Sequence, residues 1–270
     1  MSLRGLTLAL IAGLWATTAA AQTASGLIRL GDRDDLLGWE AVGRLDHASG
    51  GFCTGTLIAP DLVLTAAHCV YGPDRRSMAA PSSLTFRAGF SHGSAIAERR
   101  VARIAVPPEY QPGPRATTAR ARHDVALLEL EQPIPVSEVD PFALHSGETK
   151  GLPVSVVSYG KGRAEALSRQ RSCNMLYRNQ ALLVFDCDVT FGSSGSPVFV
   201  KTGNRVRILS VVSQMARTGD GKVALGMELP ALVDSLKATL RATRQAPQAS
   251  LRRITVGGDR SGTGAKFVKP

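Results

Sequence analysis

Aromatic residues make up only 5% of this 270-residue chain, and it contains only four cysteines. So few aromatic rings offer no stacking platform for nucleic-acid bases. The cysteines (53, 69, 173 and 187) include no Cys-x-x-Cys pair and no histidine at ligand spacing, which argues against a zinc site; no metal and no cofactor is expected. Long apolar runs are missing as well. The stretch from Gly5 to Ala16 is about a dozen residues, too short to cross a bilayer comfortably, and no other segment approaches twenty. Helical periodicity is absent from most of the chain, which speaks against an α-helical fold.

The charge balance is lopsided, with 32 Lys and Arg against 22 Asp and Glu, a net +10. Such a charge suits anionic polymers or an envelope surface. The basic residues are scattered, however, and only Arg115–Arg122 and the C-terminal tail are locally dense. The expectation is a generally basic protein with no nucleic-acid partner, its tail able to touch anionic surfaces.

The ends differ from the middle. A basic start (Met1-Ser2-Leu3-Arg4), the short apolar run and the small residues Ala19-Ala20-Ala21 form a signal-peptide pattern over 1–21. It places the mature chain outside the cytoplasm, secreted or periplasmic. Residues 22–35 read as an N-terminal extension or pro-segment, with Arg33 a place where processing could cut. Residues 245–270 hold few large apolar side chains and read as a flexible basic tail. Four cysteines in an exported chain suggest two disulfides, for which three pairings exist.

Between the ends, 44% hydrophobic residues, 27 Gly and 15 Pro suit an all-β protein with many turns. Strand-like runs recur at Leu62–Leu64, Leu84–Arg87, Arg100–Val106, Val125–Leu130, Val154–Tyr159, Leu182–Phe185, Pro197–Val200 and Val206–Ser213. The exception is a stripe of Leu229, Leu232, Val233, Leu236 and Leu240, which predicts one amphipathic helix over 229–242.

Three segments carry chemistry: Leu64-Thr65-Ala66-Ala67-His68-Cys69, His123-Asp124-Val125-Ala126-Leu127-Leu128 and Gly192-Ser193-Ser194-Gly195-Ser196-Pro197. A serine hydroxyl is a poor nucleophile until a base takes its proton, and neutral imidazole suits that task. A buried carboxylate holds the ring in the right tautomer and stabilises the imidazolium. Glycines around the serine let peptide N–H groups approach a developing oxyanion, each typically worth about 3 kcal/mol. The candidates are therefore His68 as base, Asp124 as carboxylate and Ser194 as nucleophile, with the N–H groups of Gly192 and Ser194 as oxyanion donors. Ser193 and Ser196 are read as turn residues, and His47, His92, His123 and His145 as solvated loop histidines.

The order His, Asp, Ser and the run from Cys53 to Cys69 resemble the trypsin-like (chymotrypsin-fold) serine peptidases across roughly residues 36–240. The resemblance implies two antiparallel six-stranded β-barrels packed together with a C-terminal α-helix: a peptidase domain over 36–244, with barrel one about 36–135 and barrel two about 148–228. It implies a monomer acting on a protein or peptide substrate. It also favours a Cys53–Cys69 bridge, which leaves Cys173–Cys187. Trp39–Leu45 and the Ser-Gly-Ser-Pro ending look like the bacterial glutamyl-endopeptidase-like branch. There is no Ile-Val-Gly-Gly segment, and Ser193 stands where the animal enzymes have an acid, so their ammonium–carboxylate activation is excluded. Glutamate-specific relatives use a histidine on the strand matching Leu209–Gln214, and here there is none. Asp188 matches the position that attracts Arg or Lys in trypsin-like pockets, a slight lean towards basic substrates, with a structural role in the loop beside Cys187 as the equal alternative, and Ser213 and Gln214 match the strand that pairs with the substrate backbone. The alternatives are a catalytically silent binding protein on the same scaffold and, more weakly, an esterase.

Overall fold

A computed structural model describes residues 26–148, 153–219 and 221–245. The expected signal segment and the tail beyond Gln245 lie outside these described residues. The first strand, β1 (Leu27–Leu30), falls in the stretch read as an extension. It pairs with a strand of the second half of the chain and buries Leu30 in the core.

Six strands close the first barrel: β2 (Val42–His47), β3 (Phe52–Ala59), β4 (Leu62–Thr65), β5 (Leu84–Ala88), β6 (Ala97–Ala105) and β7 (Ala126–Leu130), in the order β2-β3-β4-β7-β6-β5. Alternation builds it. On β5, Leu84, Phe86 and Ala88 point inward while Thr85 and Arg87 are only partly covered. Leu45, Leu57, Val63, Val101 and Leu128 complete the filling.

The second unit comprises β8 (Pro153–Gly160), β9 (Arg163–Asn179), β10 (Leu182–Phe185), β11 (Pro197–Thr202), β12 (Arg205–Val211), β13 (Gln214–Thr218) and β14 (Gly221–Met227). They pair in the order β12-β11-β8-β9-β10-β14-β13, with β1 added to β9. Only Val212 and Ser213 separate β12 from β13, so one bent segment pairs with β11 first and with β14 next. Counted as one strand, it brings the unit to six and wraps the sheet round. Where β12 meets β14, the Ser210 hydroxyl accepts from the Met227 N–H (2.9 Å) and donates to its carbonyl (2.8 Å). The approach requires Gly226, since a Cβ there would lie 2.3 Å from Ser210 Oγ. The all-β expectation of two packed barrels and a terminal helix is met in this form. The 17-residue β9 escaped the sequence reading because its outer half is polar and exposed, leaving no apolar alternation to detect.

Between the barrels, Val42, Leu64, Val157, Tyr159 and Phe199 form a shared core. The few aromatics gather here: Trp39 packs on Phe142 and Phe199 with ring centres 6.0 and 5.3 Å apart, and Phe142 on Phe199 at 4.6 Å. After the short helix α1 (Thr118–Ala121), the one long helix among the described residues is α2 (Pro230–Gln245), which lays Val233, Leu236 and Leu240 into the same core, after Leu229, as its stripe predicted. Burial of each such side chain contributes roughly 1.5–3 kcal/mol.

A charge cluster also holds α2. Arg103 on β6 donates to the Leu240 carbonyl (2.9 Å) and pairs with Glu129 of β7, which pairs in turn with Arg244 of α2. Burial pushes the Glu129 carboxyl up, but the hydrogen bonds and charges of the two guanidiniums outweigh it and hold it below its ordinary 4.5. A depressed native pKa contributes stability that is complete above the unfolded value and is lost as pH falls through the native one. Glu129→Gln is therefore expected to cost about 1–3 kcal/mol at pH 7, or several degrees in Tm. The difference from wild type should close as pH drops well below 4.5. Melting curves at pH 7 and at strongly acidic pH check this; an offset that stayed constant would reject it.

Candidate active site

Strand pairing brings the first two residues together. Thr65 at the end of β4 lies opposite Ala126 at the start of β7, so the residues after one and before the other emerge at the same rim. From β4 the chain turns into a 3₁₀ helix, Ala67–Val70, which carries His68. Ala66 and Ala67 are fully buried, so the backbone seats tightly there. Cys69 is bridged to Cys53 on β3, with Cα atoms 6.1 Å apart, the pairing the resemblance implied. The other bridge, Cys173–Cys187, ties β9 to the segment leading towards Ser194. Each closes a loop of about 15 residues, worth roughly 3 kcal/mol in the chain-entropy account.

Asp124 sits just before β7 and is 1% exposed. Its Oδ1 accepts from the His68 backbone N–H at 2.8 Å, and its Oδ2 lies 2.8 Å from His68 Nδ1 and accepts from Ser213 Oγ at 2.6 Å. Burial pushes the carboxyl pKa up, yet the charge of His68 and these hydrogen bonds outweigh it and hold the group below the usual carboxylate value. An ionised carboxylate there fixes the ring orientation and leaves Nε2 facing the cleft.

The third segment is pinned to both barrels. The Thr54 N–H of β3 donates to the Ser194 carbonyl (2.9 Å), and the Gly195 N–H donates to Val212 (2.7 Å). Thr54 Oγ1 donates to the Gly192 carbonyl at 2.9 Å. Gly192 and Gly195 have φ of 92° and 78°, and a Cβ on either would strike Phe52 or Thr54 at under 2.5 Å. The N–H groups of Ser193 and Ser196 are spent on Thr190 and Ser193 carbonyls, whereas among the described residues those of Gly192 and Ser194 donate to no protein acceptor. Ser193 and Ser196 are fully buried, while Ser194 is partly exposed. Of the three serines, only Ser194 can meet a large molecule.

Ser193 has a role that sequence reading missed. Its hydroxyl donates to the Tyr159 carbonyl (3.0 Å) and accepts from Arg163 (3.0 Å), which also donates to Ser158 Oγ (2.8 Å). Arg163 thus clamps the loop under Ser194 from the start of β9. The signal was the serine in place of an acid: with no carboxylate there, a hydrogen-bonding cation from elsewhere can serve.

His68 and Ser194 line one open cleft of about 220 Å³, with Ser213 and Gln214 along its wall and Thr190, Phe191 and Met215 nearby. Asp188 is not among the lining residues. It is half-buried, its N–H donates to Gln170 Oε1 (2.7 Å), and its charge acts on Arg163. A carboxylate outside the cleft lining gives no basis for a lean towards basic substrates. Two further lining residues, Arg75 and Arg120, were not singled out from the sequence. His145 is 7% exposed, so it is not a solvated loop residue; its backbone pairs with Ile208 on β12 and draws the ring inward.

The family model described as trypsin-like peptidase domain matches residues 53–206. The chain is 28% identical over 163 residues to a glutamyl endopeptidase of Bacillus licheniformis, covering 58% of this chain and 48% of that one. It is 40% identical over 94 residues to a modular serine protease of Drosophila melanogaster, covering 32% of this chain and 14% of that one. The chain thus spans less than half the length of these two relatives. Among solved structures, a Glu endopeptidase in complex with MPD superposes with a TM-score of 0.65 at 21% identity, covering 80% of this chain and 97% of that one, which establishes the likeness of fold. With more than half of its length matched to the family model, including His68, Asp124 and Ser194, this chain belongs to the trypsin-like peptidase family.

Proposed function

We propose that the chain is an exported serine endopeptidase acting through an acyl-enzyme, with Ser194 as nucleophile, His68 as general base and Asp124 as the carboxylate that orients it. The observation that carries this reading is the buried Asp124, bonded to the backbone N–H and Nδ1 of His68 and to Ser213, beside a cleft that His68 shares with the partly exposed Ser194. Ser194 Oγ attacks the scissile carbonyl while His68 Nε2 takes its proton. The oxyanion is met by the free N–H groups of Gly192 and Ser194. Collapse of the tetrahedral adduct breaks the C–N bond, and His68 returns the proton to the departing amine. Water, deprotonated by His68, then attacks the ester and restores Ser194.

The substrate backbone pairs with the free edge of β13, which has a ladder partner on one side only, β14. Ser213 and Gln214 begin that edge. No carboxylate lines the cleft, and Phe191, 68% exposed, offers an apolar contact. Export is supported by the signal-like start and by two disulfides, which persist in oxidising compartments. Among the described residues, no helix is long and apolar enough to cross a membrane.

The test is fluorophosphonate labelling of the mature protein, mapped by intact mass and peptide analysis, beside Ser194→Ala. The expected result is one adduct on Ser194, absent from the variant, with hydrolysis of casein. A protein that took no label and cleaved neither casein nor activated esters would sink the proposal and favour a binding role for the scaffold.

A further inference from the structure

Beside the cleft lies a second depression of about 700 Å³, and Arg120 lines both. Two loops wall the combined surface. One, following the 3₁₀ turn of His68, carries Arg75 and Arg76; the other, before the short helix Thr118–Ala121, carries Arg115 and leads to Arg120.

These four guanidiniums gather round one concave surface without a carboxylate bound to any of them. Among the described residues, none forms an ion pair within 4 Å, although Arg44, Arg87, Arg103, Arg178 and Arg244 all do. The acid nearest in sequence, Asp74, is spent on its own loop: its carboxylate accepts from the N–H groups of Arg76 (3.0 Å) and Ser77 (3.1 Å) and from Ser77 Oγ (2.7 Å). Glu109 is the one carboxylate lining the depression. Arg120 donates to the Gly113 carbonyl, which holds its loop, while its Nε is buried without a partner. A buried unpaired donor and a surplus of positive charge over a concave surface call for an anionic occupant.

Position says which part of a substrate would meet it. Gln214, at the start of β13, donates through its side chain to the Thr117 carbonyl, so the second loop stands beside the strand that the substrate would join. A peptide antiparallel to β13 with its reacting carbonyl at Ser194 runs, towards its own N-terminus, from Ser213 along β13. The residues before the one cleaved therefore pass this basic wall.

We infer that the cleft selects polypeptides carrying acidic side chains at the second to fourth positions before the scissile bond. The inference rests on the peptidase reading above. It concerns a part of the substrate separate from the side chain at the cleaved bond.

The experiment uses fluorogenic peptides sharing one cleavable residue and carrying Glu, Gln or Lys at those three positions, assayed on the full mature protein. The Glu peptide is expected to exceed the Lys peptide about tenfold in kcat/KM at low ionic strength, the gap narrowing as salt rises. Arg76→Glu combined with Arg115→Glu, both exposed positions, is expected to remove or invert the Glu:Lys ratio. In parallel, fluorescence anisotropy on Ser194→Ala measures binding of the same peptides without turnover. Protein that labels and cleaves but treats the three peptides alike in both assays overturns the inference and leaves the peptidase reading intact. Protein that neither labels nor cleaves, yet binds the Glu peptide preferentially in a manner abolished by the double variant, supports the basic wall and overturns the peptidase reading.

Discussion

Asp124→Asn is expected to reduce kcat/KM about 10⁴-fold at neutral pH while leaving the protein folded. The carboxylate accepts three hydrogen bonds: two from His68, through its backbone N–H and Nδ1, and one from Ser213 Oγ. Asparagine keeps the shape but has one accepting atom. If its oxygen stays with the His68 backbone and Ser213 rotates away, its NH₂ faces Nδ1. The ring must then carry its proton on Nε2, which can no longer take one from Ser194. Turning the amide the other way sets NH₂ against the backbone N–H, which has no lone pair to offer. That second arrangement strands two donors at a site that is 1% exposed, so the first prevails and fixes the wrong tautomer. Fluorophosphonate labelling rates and peptide hydrolysis read the loss, with a melting curve confirming the fold. A variant within tenfold of wild type would show that Asp124 only supports the loop, and the assigned roles would have to be withdrawn.

Gly195→Ala is expected to be the most disruptive single methyl in the molecule. The glycine has φ of 78°, and a Cβ would stand 2.2 Å from both the Thr54 carbonyl oxygen and Thr65 Oγ1 and 2.9 Å from the Ala66 nitrogen. None of these can yield cheaply. Thr65 Oγ1 is already bonded to the Thr54 carbonyl (2.8 Å), and the Thr54 N–H holds the Ser194 carbonyl. Left-handed backbone for a residue with a side chain costs roughly 1–2 kcal/mol, and overpacking a tight site about 1–3 more. A total of roughly 3 kcal/mol corresponds to a fall of about 6–12 °C in Tm for a domain of this size. Because the strain falls where both barrels grip the Ser194 loop, fluorophosphonate labelling should collapse even at temperatures where the variant is folded. A Tm within 2 °C of wild type, with labelling intact, would mean that the loop has slack the close contacts do not suggest.

Much of this was legible beforehand because it depends on short stretches. Period-two runs such as Val154–Tyr159 place side chains on opposite faces whatever their distant partners, and β8 does send Val154 and Val156 into one core and Val157 and Tyr159 into another. The stripe on α2 is likewise a local property. What escaped was non-local or polar. β9 is half exposed, and β13 is short and polar, so neither leaves an apolar signature. Asp188 had the right spacing for a pocket acid, but spacing says nothing of which residues line a cleft, and Asp188 is not among those lining the one shared by His68 and Ser194.

By itself, then, the amino-acid order determined the fold class, the terminal helix and the three chemical segments, since hydrophobic alternation, helical periodicity and motif composition act over a few residues. Only the tertiary structure decided which groups share a cavity. Pairing of β4 with β7 puts His68 against Asp124, Thr54 and Val212 hold Ser194 from two barrels, and two loops about 40 residues apart bring four arginines to one wall. Electrostatic neighbours are chosen by distance in space, and a chain of 270 residues encodes that distance only through the register of its strands.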